Sequence, residues 1–75
     1  MKNQKIHDKL QTAFSKAEVL ITPNEMFPTH VTMIIEKISS NDIGFCMKIV
    51  KQFNVCFIIR PTQSDTLNIQ FFSIK

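Results

Sequence analysis

The stretch from Ile43 to Arg60 constrains this chain more than any other. Cys46, Ile49, Val50, Phe53, Cys56 and Phe57 fall within one narrow stripe at helical spacing. Met47, Lys48, Lys51, Gln52 and Asn54 fall mostly outside it. Local propensity pulls the other way at Val55 to Ile59, which alone reads as a strand. Because the 3.6-residue pattern persists for three turns, we expect a helix over 43–60, stopped by Pro61.

A second amphipathic helix opens the chain. Ile6, Leu10, Ala13, Phe14 and Ala17 share one face, and Asn3 is placed to cap it. Glu18 to Thr22 reads as a short strand, rich in β-branched residues and closed by Pro23 and Asn24. Residues 23–29 form a loop stiffened by two prolines. His30 to Ile38 fits either helix or strand, and its threonines and isoleucines favour strand. Ser39 to Asp42 is a turn that can also cap a following helix. After a polar loop from Thr62 to Thr66, Leu67 to Ile74 forms a last strand, with Leu67, Ile69 and Phe71 on one face. The expected fold is therefore α+β, an αββαβ core with two helices packed on one face of a three-stranded mixed sheet. A short extra helical turn is expected near Asn41 to Phe45 or after Pro61.

At 75 residues the chain forms a single domain, 1–75. Seven Phe and many Ile supply enough apolar area to fold. The N-terminal ten residues carry no apolar signal-peptide core, and the longest apolar run, Val55 to Ile59, is far shorter than the roughly 20 residues of a membrane span. Cys46 and Cys56 form neither a disulfide framework nor a CxxC motif. Both are expected as reduced, buried cysteines, in keeping with a cytoplasmic location. The net charge of +3 permits weak attraction to phosphate without requiring it.

The order of these segments resembles the BolA family. Ile6, Leu10, Ala13 and Phe14 followed by Glu18-Val19 are similar to that family's opening helix and first strand. Thr29 to Ile35 resembles its second strand, Ser-His-Phe-x-Val-x-Ile. Gly44 falls near the family's glycine, about two residues late. Val50 to Val55 stands where the family carries Arg-His-Arg-x-Val, and Ile69 to Ile74 resembles the closing Ile-His-Ala-Leu-Ser-Ile. The resemblance implies a class II KH-like αββααβ fold. It also implies a monothiol glutaredoxin as partner, in a heterodimer that shares a [2Fe-2S] cluster, the chain itself being monomeric alone. It further implies DNA binding and transcriptional control. The likeness departs from the family at Gln70, which replaces the closing-strand histidine, and at Lys51 and Gln52, which keep only part of the helix's basic motif.

Against that background His30 is the candidate metal ligand, with a strand-opening, hydrogen-bonded histidine as the plainer reading. Lys51, Gln52 and Gln70 are the candidate partner-binding residues. Lys48, Lys51 and Arg60 are candidate phosphate contacts for the alternative reading, a KH-like nucleic-acid-binding regulator. A third reading is a small structural protein whose likeness to BolA is coincidental. No catalytic constellation is legible. The acids show no paired spacing, the serines stand in no nucleophile motif, and no Gly-rich phosphate loop exists.

Overall fold

A computed structural model describes residues 2–73. Its elements are α1 (Lys2–Ala13), β1 (Glu18–Ile21), β2 (Thr29–Ile35), α2 (Ser40–Phe53), β3 (Cys56–Pro61) and β4 (Leu67–Ser73). The four strands form one sheet in the order β1-β2-β4-β3, and every neighbouring pair is antiparallel. The α+β class stands. The expected three-stranded mixed sheet is corrected to four antiparallel strands, and αββαβ to αββαββ. Because β4 lies between β2 and β3, those two run parallel, so β2–α2–β3 is a split βαβ crossover.

The extra strand comes from the stretch expected to end the second helix. That helix stops at Phe53, and Asn54 takes a left-handed conformation at φ 55°. Its N–H and that of Val55 both donate to Val50 O, the hydrogen-bond pattern of a left-handed helix stop. Val55 is buried beneath the stop. Residues 56–61 then pair with β4 along their whole length. Six residues of ladder and a covered Phe57 outweigh one more turn of helix, which would strand Ile58 and Ile59 in solvent.

The remaining boundaries shift by a few residues. The second strand covers 29–35, ending before the expected Ile38, and the first ends at Ile21. Ser39 caps α2 through a reciprocal capping box with Asp42. Asn41 to Phe45 belongs to α2 itself, and 62–66 is a hairpin loop, so neither holds a separate helical turn. Ile74, the expected strand end, lies outside the described residues. Asn3 sits within α1 rather than capping it. Its side chain accepts from the His30 N–H and donates to Pro28 O, tying the helix start to β2.

Both helices cover the same face of the sheet. Ile6 and Leu10 of α1 and Cys46 and Ile49 of α2 join Val19, Val31, Met33, Ile69 and Phe71 in one core. Phe14 and Phe45 meet edge-on, 5.7 Å between ring centres, closing the seam between the helices. Among the described residues no helix is long and apolar enough to cross a membrane.

Candidate partner-binding face

A strand turns alternate side chains to opposite faces. With the helices on one face, the other carries no layer among the described residues. Register sets out its rows. His30, Phe72 and Cys56 stand side by side across β2, β4 and β3. Leu20, Thr32, Gln70 and Ile58 make the next row, across all four strands. Glu18, Ile34, Asn68 and Arg60 make the third. The centre of this face is polar, with Thr32 buried beside Gln70, and apolar side chains surround it: Leu20 and Ile58 on the edge strands, Ile34 and Phe72 on the central ones. Leu20 is 41% exposed.

One corner is aromatic. Phe27, in the β1–β2 loop, meets the edge of Phe72 at 5.2 Å and lies 6.0 Å from the His30 ring. A turn places it there, with the Phe27 N–H donating to Asn24 Oδ1. His30 Nδ1 lies 3.0 Å from the carbonyl oxygen of Thr22. A carbonyl only accepts, so this contact is a hydrogen bond in the tautomer that carries its proton on Nδ1, which leaves Nε2 as the acceptor nitrogen. That tautomer suits a ligand, whose second nitrogen is commonly held by a carbonyl. Thr22 Oγ1 stands 3.1 Å from the same nitrogen. On the third row, the buried Asn68 Oδ1 finds no hydrogen-bond donor among the described residues.

The expected site residues divide between two surfaces. His30 and Gln70 share the open face on adjacent rows of paired strands. Lys51 and Gln52 are exposed on α2, in the helical layer. The three expected partner-binding residues therefore do not form one patch. Lys48 and Lys51 likewise lie on α2, while Arg60 stands on β3 with its side chain on the open face. The expected phosphate contacts are not gathered. His7 pairs with Asp8 on exposed α1, and that hydrogen bond lowers the Asp8 carboxyl below its ordinary value.

The two cysteines differ, correcting the expectation that both are buried. Cys46 is fully buried in the core, and Cys56 is exposed on the open face. Cys56 stands two strand spacings from His30, about 10 Å away across Phe72. The described residues hold no group of three His, Cys, Asp or Glu able to share a metal. A [2Fe-2S] cluster takes four protein donors, thiolates with imidazole in some cases. This donor set does not fit a resident cluster.

Burial pushes the Cys46 thiol up from its ordinary value of 9.0 to about 11, and the Asp42 charge adds to the effect. A thiol reagent near neutral pH should therefore modify Cys56 quickly and Cys46 only on unfolding. Two equally fast phases would contradict that burial. The same shift links stability to pH. Above 9 the unfolded chain loses this proton while the folded chain keeps it, so stability should fall as pH rises from 9 to about 11. The loss is at most about 3 kcal/mol, and it should disappear in Cys46→Ala, as chemical denaturation at several pH values would report.

Sequence reasoning missed the open face as a unit. Leu20, Ile34, Ile58 and Phe72 share that face only through register, and no local pattern announces it. A concavity of about 560 Å³ lies at one end, between the α1–β1 turn and the end of β2, lined by Phe14, Lys16, Ala17 and Lys37 among others. It contains none of the expected site residues. Comparison of the chain with protein-family models, with curated proteins and with solved structures gives no match.

Proposed function

We propose that this protein is a non-catalytic adaptor that binds a protein partner through its uncovered sheet face. The observation that carries the reading is the open face itself, with Leu20, Ile34, Ile58 and Phe72 on a sheet whose only covering layer among the described residues lies on the other side. Apolar side chains grouped on an uncovered sheet face offer a surface that a partner can cover. The partner implied by the resemblance is a monothiol glutaredoxin, and the closeness of His30 and Gln70 on this face supports it. Any cluster shared in such a complex would draw one donor from this chain, His30 Nε2. Nucleic acid is the weaker reading, because the lysines of α2 stand on the opposite layer from Arg60.

The test is an NMR titration of the ¹⁵N-labelled chain with apo and cluster-loaded monothiol glutaredoxin, and separately with a single-stranded oligonucleotide. We expect glutaredoxin to shift amides of β2, β3 and β4, and Leu20→Lys/Ile34→Lys to weaken binding at least tenfold with the fold intact. Shifts from the oligonucleotide alone, weakening as salt rises, would replace this reading with the nucleic-acid one. No shift from either would end both.

A further inference from the structure

We propose that two copies of this chain pair through β3, joining their sheets edge to edge into one of eight strands. The inference rests on the geometry of that edge and not on what binds the open face. The sheet has two edges, and they differ. β1 is only four residues long and begins at Glu18, with Pro23 just beyond it. β3 runs Cys-Phe-Ile-Ile-Arg-Pro, with no charge or proline before Arg60. Arg60 and Pro61 guard only its end, and the four apolar residues Cys56–Ile59 before them leave an edge that can template another strand.

The hydrogen-bond phase of β3 fixes the pairing. Thr62 N–H donates to Thr66 O at 2.9 Å, closing the hairpin. Antiparallel ladders alternate bonded and non-bonded pairs, so Arg60–Asn68, Ile58–Gln70 and Cys56–Phe72 are the bonded pairs. Phe57 and Ile59 then turn their N–H and C=O groups outward. A two-fold axis through Ile58 places Phe57 of each copy opposite Ile59 of the other. Each such pair exchanges two hydrogen bonds, so every outward N–H of Phe57 and Ile59 finds a carbonyl. An isologous contact needs this self-complementarity, and the β3 sequence meets it without a shift.

Side chains and charge agree with that register. On the helical side Phe57 meets Ile59 of the other copy, and Ile59 is 37% exposed without it. Above them lies the α2 flank opposite Phe45, where Ile43 is 38% and Met47 52% exposed. Arg60 is the one charged residue of β3, and it opposes Cys56. The two Arg60 side chains fall four residues apart along the strands, about 13 Å, beyond the roughly 8–10 Å screening length at physiological salt. Strand and helix tiers are each about 20 Å long and 10 Å tall, a projected footprint of about 400 Å² per copy. That footprint belongs to a weak, concentration-dependent dimer rather than an obligate one.

Sedimentation velocity of the full chain, from low micromolar to millimolar, tests the pairing. We expect a monomer–dimer equilibrium with dissociation in the micromolar range. Ile59→Pro removes an outward N–H that the monomer does not use, and should leave a folded monomer. Ile59→Lys should do the same if proline disturbs the strand. Ile58→Cys in a Cys56→Ser background tests the register, because a non-bonded pair about 4.5 Å apart at Cα lies within disulfide reach. Air oxidation should link it covalently. A chain monomeric at millimolar concentration overturns the proposal. So does a dimer indifferent to both Ile59 variants, or one in which the Ile58→Cys variant fails to cross-link.

Discussion

Phe71→Ala is expected to lower the unfolding free energy by about 3–5 kcal/mol and to leave little cooperative transition at physiological temperature. Phe71 sits on the central strand β4 with no exposed surface, and its ring stacks on Phe57 with centres 5.7 Å apart. It is among the largest side chains in the core, on the face of the sheet that the two helices cover. Truncation leaves a cavity that neighbouring strands, held in ladder on both sides, cannot close. A chain of 75 residues has a total stability of roughly 4–11 kcal/mol, so one such cavity removes much of it. Phe72→Ala is the internal control. Phe72 is the next residue in the same strand but faces the uncovered side, and its removal should cost roughly 1 kcal/mol or less. Urea denaturation followed by far-UV circular dichroism measures both. Comparable losses at 71 and 72 would mean that the sheet is covered on both faces, and the open-face reading would fail with it.

Much of this fold is legible locally. Ile6 and Leu10 fall at helical spacing and are fully buried. The Ser39–Asp42 capping box announces the start of α2, because a hydroxyl and a carboxylate three residues apart satisfy two backbone N–H groups at once. What is not legible is competition decided by pairing. Cys56 and Phe57 continue the α2 stripe by coincidence of spacing, while the gain from joining β4 depends on residues a turn away in sequence. Periodicity sees one face of one segment and cannot weigh a ladder. The same blindness hides the candidate site. His30 and Gln70 are forty residues apart in the chain, and only the β2–β4 register sets them on one face. Lys51 and Gln70 look equally plausible as partner residues until the helical layer separates them.

The turn that decides between helix and strand carries the second large effect. Asn54→Pro is expected to abolish cooperative folding, whereas Asn54→Gly should stay within about 1 kcal/mol of the parent. Asn54 adopts φ 55° and gives its N–H to Val50 O. Proline holds φ near −65° and has no N–H, so it loses the bond and cannot turn the chain from α2 into β3. The expected cost is about 3 kcal/mol or more, and β3 can no longer enter the sheet in register. Glycine adopts the left-handed conformation freely, and its larger unfolded-state entropy offsets what it gains. Thermal melts, with amide exchange on β3 as a second readout, separate two explanations. If α2 stops because Asn54 is left-handed, proline destroys the fold and glycine preserves it. If Asn54→Pro melted like the parent, the break after Phe53 would not depend on that conformation, and the pairing of β3 with β4 would have to impose it alone.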